Sequence, residues 1–433
     1  MKKDNHPAVL LGASRWYPLS VRLAMAFIRH GVSVAAICPR GHPLRLVRGI
    51  QALYRYRCLD SLASLKSAIE SARPDFVVPC DDGVVLQLHA LHAQEPALRP
   101  LIERSLGQAD GYPIIDSRYQ LLCLAGELGI RIPPMRAVNS EADLTYGRET
   151  DVVLKTDGSM GGEGIAIAHS QAEAAAAYLR LSKPFTAEVA LKRLLINHSP
   201  LALWMWQRHE KPRIILQQFI PGRPANTMIA CWRGEMLASV TVEVLNSQGA
   251  TGAATVVRLI RHEEIEEAAR RLTQRLMLTG FYGLDFILEP SQGQRGAAYL
   301  IELNPRCTQL GHLCLQRQGD LAGIFSARLQ DSAPGPTEND IDDPIESDTI
   351  AFFPQALLWD PQSPYLHSAY HDVPWESPEL VRELLLEEWP YRQRAARIYH
   401  RYRPPAVQKA VQFETVENLS LREEKQDTLS GVP

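Results

Sequence analysis

The sequence has no Cys-x-x-Cys pair; its seven cysteines, at 38, 58, 80, 123, 231, 307 and 314, are scattered. That spacing excludes a zinc ribbon and an even disulfide framework, and it predicts buried free thiols in a reducing cytoplasm. An excess of one charge is also lacking. Lysine and arginine total 46 against 49 aspartates and glutamates, a formal net charge of −3. A nucleic-acid partner would need a basic face, whereas the basic residues here are spread out, the densest run being Arg392–Arg403. Long apolar runs are missing. The stretch after the charged start is cut by Gly12 and Arg15, so it is neither a secretory core nor a membrane span. What remains is a globular composition, 45% hydrophobic and 22% charged. With 433 residues the chain exceeds one ordinary core and predicts roughly two to three domains.

Over the first 110 residues short apolar runs alternate with helical patterns. Ala8–Leu11, Val32–Cys38 and Asp75–Pro79 read as strands, separated by helices through Leu19–His30 and Leu62–Ala72. Strand–helix–strand alternation at this spacing argues for a right-handed βαβ sheet covered on both faces. The turn Gly12-Ala13-Ser14-Arg15 lacks the second and third glycines of a dinucleotide fingerprint and reads as a tight strand-to-helix turn. Ile114–Gly129 reads as one helix, stopped by Gly129 and Pro133-Pro134. Further on, Asp151–Lys155, Ile165–Ala168, Arg213–Ile220, Gly283–Glu289 and Ala298–Leu303 read as strands. Met228–Trp232 and Glu235–Glu243 read as a hairpin, and Glu263–Leu278 as a helix. Ser332–Asp348 is a Pro, Asp and Glu-rich linker by composition, and the polar end of the chain is disordered by the same criterion.

Two segments carry chemistry. Lys155 ends a strand, and Gly158, Ser159, Gly161, Gly162 and Gly164 follow it. Glycines there let backbone N–H groups converge on an anion, and the lysine adds a compact positive charge for a phosphate oxygen. The Gly-Lys-Ser/Thr order of a Walker A loop is absent, so the segment reads as a hairpin loop between strands. The second segment is Glu302-Leu303-Asn304-Pro305-Arg306, with Asp285 on the preceding strand. Glu302 and Asn304, two apart, share a strand face that Asp285 on an antiparallel neighbour also meets. Two carboxylates and an amide oxygen are hard ligands suited to Mg²⁺. Arg306, just beyond, is placed to stabilise charge on a transferring phosphoryl group.

In this order the motifs resemble the ATP-grasp superfamily, over about residues 8–325. Ile301–Arg306 looks like its E-x-N-P-R signature, Val152–Gly164 like its lysine strand and glycine loop, and Leu216–Gly222 like its hinge strand. The resemblance implies an α/β fold of the carboxylate–amine ligase type, similar to carbamoyl-phosphate-synthase-like and amino acid ligase members. It implies a Rossmann-like domain over residues 1–113 and a small lid subdomain over 114–212, the latter including an insert at 182–212. A large subdomain with the metal site would span 213–331, an extension 332–415 and a tail 416–433. It also implies ATP and Mg²⁺, or Mn²⁺ in its place, as cofactors. Gln217, Gln218 and Ile220 would meet the nucleotide, the backbones of Gln218 and Ile220 at the adenine edge. Arg118 stands where the family has a second phosphate lysine. No carboxylate follows the hinge to hold the ribose, and Asn226 is the substitute on offer.

The implied reaction has a carboxylate attack the terminal phosphate of ATP to give an acyl phosphate, which an amine then displaces. The partners would be a small-molecule carboxylate and amine, without nucleic acid or membrane, and a homodimer is allowed. A small-molecule kinase or a non-catalytic nucleotide-binding regulator fits the same scaffold; the intact Asp285, Glu302, Asn304 and Arg306 argue against the regulator. Among other residues, Asp81 or Asp82 reads as a substrate contact or a helix cap. Asn246–Thr255 reads as a loop near the substrate, Cys307 as a packing residue and His312 as a helix-surface histidine.

Overall fold

A computed structural model describes residues 7–16, 19–144, 151–157, 164–183, 186–195, 206, 213–249, 252–290, 296–313, 319–331, 347–386, 397–398, 401–402 and 410–413. The architecture is α/β, with three sheets. The first is parallel, in the order β3-β2-β1-β4, built from β1 (Ala8–Gly12), β2 (Ser33–Cys38), β3 (Ile50–Arg55) and β4 (Phe76–Pro79). Its inner strands are continuous apolar runs because helices cover both faces. Edge strand β3, absent from the expected strands, alternates half-buried and exposed residues, as a strand with one face to solvent does.

The second sheet, in the order β5-β8-β6-β7, is small and antiparallel: β5 (Met135–Val138), β6 (Val152–Thr156), β7 (Ile165–Ala168) and β8 (Ile214–Gln218). Leu154, Ile214 and Leu216 pack on the helix Gln171–Leu181, which Ser170 caps through its side chain. The third sheet runs β13-β12-β9-β10-β11-β14-β15, with β16 (Val411–Gln412) on β10. Its members are β9 (Arg223–Trp232), β10 (Glu235–Ser247), β11 (Ala254–Leu259), β12 (Gly280–Leu288), β13 (Ala298–Asn304), β14 (Thr349–Ala351) and β15 (Tyr370–His371).

Two expectations change. The single helix over Ile114–Gly129 is two, Tyr112–Ile115 and Arg118–Glu127. The break comes at Ser117, whose extended backbone and side-chain bond from Gln120 N (3.3 Å) make it the cap of a new helix. The hairpin is longer than foreseen and begins at Arg223, so Asn226 lies within a strand instead of a loop. After the linker, β14 pairs with β11 and extends the large sheet.

A shared core joins the first and third sheets. Phe27 and Phe76 from the N-terminal unit meet Phe281 and Phe325, with ring centroids 4.8–5.9 Å apart. Each such ring contributes about 1.5–3 kcal/mol by burial, so the two sheets form one packed body. Among the described residues no helix is long and apolar enough to cross a membrane.

Candidate functional site

The site rises from three adjacent strands. Antiparallel register places Asn226 of β9 opposite Asp285 of β12, and Asp285 opposite Glu302 of β13. Asn304 sits opposite Gly283, which must be glycine-sized because a Cβ there would lie 2.6 Å from Thr308 Cγ2. A bulge just beyond the Asp285–Glu302 pair leaves Ile301 as the extra residue and re-aims the end of β13. Asp285 accepts from both amides, Asn226 Nδ2 at 2.6 Å and Asn304 Nδ2 at 3.0 Å. Burial, followed by the neighbouring Glu302 carboxylate, pushes Asp285 up to about 6. No group of three or more His, Cys, Asp or Glu side chains able to hold a metal occurs among the described residues. The cluster here is instead two carboxylates with amides, a hard-oxygen set.

Across the cleft stands Lys155, on β6 of the small sheet, 5% exposed. Burial, and then the Arg118 guanidinium, pulls its ammonium down to about 8. Arg118 opens the helix Arg118–Glu127 and bridges the two walls. Its Nη2 pairs with Glu302 Oε1 and its Nη1 donates to Thr156 O at 3.0 Å. Asp157 holds that helix start, accepting from Arg118 N (2.6 Å) and Ser117 Oγ (2.7 Å).

The expected hinge lies on the cleft wall, where Gln217, Gln218 and Ile220 all line it. Gln218 N–H is committed to Pro134 O at 2.9 Å. Pro134 has no N–H to return, so ladder alternation leaves the Gln218 carbonyl without a strand donor on that side. The Gln217 side chain is buried beside Met135. Gly164 closes the strand end, its carbonyl accepting from Thr156 N at 2.8 Å. Gly158, Ser159, Gly161 and Gly162 lie outside the described residues.

Other residues divide. Asp81 caps the helix Asp82–Gln94, accepting from Val84 N (3.1 Å) and from Ser14 Oγ (2.7 Å). Asp82 instead turns to the cleft and accepts from Arg306 Nε at 3.0 Å. Arg306 also donates to Asn304 Oδ1 at 3.3 Å. Asn226, read as a ribose substitute, is bonded to Asp285 instead, because it belongs to β9. Ser247, Gln248, Gly252, Ala253 and Ala254 of the 246–255 segment line the cleft. Cys307 is buried and desolvation pushes its thiol up to about 12, which fits packing. His312 is not on a helix surface: it is buried and bonded to Asp372 Oδ2 at 3.0 Å.

These residues line one cleft of about 590 Å³ between the small sheet, the large sheet and the N-terminal unit. Trp16 and Gln355 also line it, and the sequence carried no signal for either, since both arrive through tertiary packing of distant segments.

Residues 121–309 match the family model described as an ATP-grasp domain. That central segment, less than half of the chain, is therefore similar to an ATP-grasp domain. No curated protein matches the chain in sequence. Solved structures share the fold at low identity. An N5-carboxyaminoimidazole synthase from Aspergillus clavatus, in complex with ADP and 5-aminoimidazole ribonucleotide, is 14% identical, covers 76% of this chain and 78% of its own, and has a TM-score of 0.53. A biotin carboxylase from Campylobacter jejuni, solved as a beta-gamma-ATP complex, is 11% identical over 77% and 72%, with a TM-score of 0.53. The biotin carboxylase domain of a Hydrogenobacter thermophilus 2-oxoglutarate carboxylase, with MgADP, ADP and bicarbonate, is 13% identical over 77% and 72%, with the same TM-score, 0.53.

Proposed function

We propose that this chain is an ATP-dependent ligase that activates a small-molecule carboxylate as an acyl phosphate for attack by an amine. One observation carries the reading. Lys155 is buried, lines the cleft and has no ion-pair or hydrogen-bond partner among the described residues. A buried ammonium is costly unless an anion reaches it, and the charges that act on it are Arg118, Glu302 and Asp285. A cation on one wall and a hard-oxygen set on the other suit a polyphosphate bridged by a divalent metal. Asp285 crowded by Glu302 is the kind of carboxylate pair that a cation relieves.

In this reading Asp285, Glu302 and Asn304 would hold Mg²⁺, which would supply charge neutralisation on the phosphates. The base lies against the hinge, where Gln218 C=O accepts and the Ile220 backbone follows. Lys155 and Arg118 receive phosphate oxygens, Arg118 exchanging its pairing with Glu302 for the ligand. Arg306, steadied by Asp82, faces the carboxylate and the charge that develops as phosphoryl transfer proceeds. The chain contributes positioning and electrostatics, and no covalent nucleophile is required.

ADP release tests the reading, screened against amino acids and other small carboxylates, singly and in pairs. Glu302→Gln, Asn304→Ala and Lys155→Ala should each lower turnover by about a hundredfold or more while the circular dichroism stays that of the wild type. Retained turnover in all three would sink the assignment.

A further inference from the structure

Asn226 stands inside a strand, where apolar and β-branched residues are the usual occupants. Its cross-strand row runs from Val242 of β10 through Asn226 of β9 and Asp285 of β12 to Glu302 of β13. A carboxamide in such a row costs desolvation unless its polar atoms are used. Its Nδ2 is used: it donates to Asp285 Oδ1 at 2.6 Å, while Asn304 Nδ2 donates to Asp285 Oδ2 at 3.0 Å. The Asp285 carboxylate is thus gripped at both oxygens, by amides from two different strands. Each oxygen keeps a further lone pair, and all three side chains line the cleft.

The two amides are not equivalent. Asn304 belongs to the Glu302–Arg306 strand end, and its Oδ1 accepts from Arg306 Nη2 at 3.3 Å. Asn226 comes from a strand 59 residues earlier than Asp285. An aspartate at 226 would set another negative charge against Asp285, and an alanine would leave Asp285 Oδ1 without this donor. We propose that Asn226 is a positioning residue of the cation site, its Nδ2 fixing the Asp285 carboxylate in the orientation that a divalent metal requires. Hydrogen bonds from outside a ligand set orient ligating carboxylates in this way, and their loss costs about 10–100-fold in metal affinity. The inference rests on the metal–nucleotide part of the ligase reading and deepens it, by adding to the metal site a residue from outside the segments that carry the ligands. It also sets Asn226 apart from the ribose contact that its place after the hinge suggests.

Paired titrations of the full chain test the inference. Mn²⁺ affinity is read by electron paramagnetic resonance at saturating ADP, and ADP affinity by calorimetry in EDTA. Adenosine replaces ADP in EDTA if metal-free ADP binds too weakly to measure. Asn226→Ala should weaken Mn²⁺ binding about tenfold and leave the metal-free nucleotide within about twofold of the wild type. A merely structural role would move both, as would a direct contact with ribose or phosphate. Circular dichroism reports folding, and Asn226→Leu, which keeps the volume without the donor, repeats the test if the alanine variant does not fold. Unchanged Mn²⁺ affinity, or an equal loss of metal-free nucleotide binding, would overturn the inference. Both outcomes leave the ligase reading standing so long as the wild type binds ADP with Mn²⁺. If the wild type binds no nucleotide with or without metal, the ligase reading falls and takes the inference with it.

Discussion

Lys155 combines burial with a charge that the nucleotide-free protein does not balance by a direct partner. Its folded pKa of about 8 lies below the ordinary 10.5, so between those values the unfolded chain binds more protons. Stability of the nucleotide-free protein should therefore rise with pH from about 8 to about 10.5, as the cost of the buried charge is removed. Phosphate binding has the opposite preference, because only the ammonium grips an anion. ADP affinity in Mg²⁺, measured by calorimetry at about pH 7 and about pH 9.5, should fall about tenfold as Lys155 loses its proton. In Lys155→Met both dependences should flatten, and a pH-independent wild type would refute the role. This lysine was legible in the sequence from its place between a strand and a run of glycines. Its isolation was not, because that depends on which side chains other segments bring near it.

At the scale of elements, the small sheet and the helix Arg118–Glu127 are tied by one carboxylate. Asp157 accepts the helix's first N–H and the Ser117 hydroxyl, and it holds Arg118 where the side chain reaches Glu302. Asp157→Ala should cost about 1–3 kcal/mol in urea unfolding, the penalty for orphaning two partly buried donors. It should also weaken ADP binding, because Arg118 loses its fixed starting point. A variant as stable as the wild type would mean that water replaces the carboxylate. The single helix read from Ile114 to Gly129 missed this tie. Apolar periodicity runs on through Asp116-Ser117, whereas the cap that splits the helix is a local side-chain bond whose partner strand lies 40 residues away in the chain.

For the whole molecule, the segment after the linker is clamped to the N-terminal unit by a buried cluster. Asp372 pairs with Arg22 Nε at 3.0 Å, accepts from Phe353 N at 2.6 Å and meets His312 Nε2 at 3.0 Å. Burial lowers the His312 pKa and outweighs the Asp372 carboxylate, which raises it, so Arg22 is the lasting counter-charge. Asp372→Ala leaves the guanidinium buried beside no carboxylate and should destabilise by about 3–5 kcal/mol, read by denaturant unfolding. Unchanged stability would show that the clamp is ornamental.

By itself the sequence determined three strands of the parallel N-terminal sheet, the strand pair bearing Asp285, Glu302 and Asn304, and the strand that holds Gln217 and Gln218. These are local patterns, set by side-chain period and by residue types that few other environments tolerate. Only the tertiary structure decided that Asn226 joins Asp285, that Asp82 and not Asp81 faces Arg306, and that Trp16 and Gln355 complete the cleft. Those outcomes depend on strand register and on packing between segments hundreds of residues apart, which no local pattern encodes.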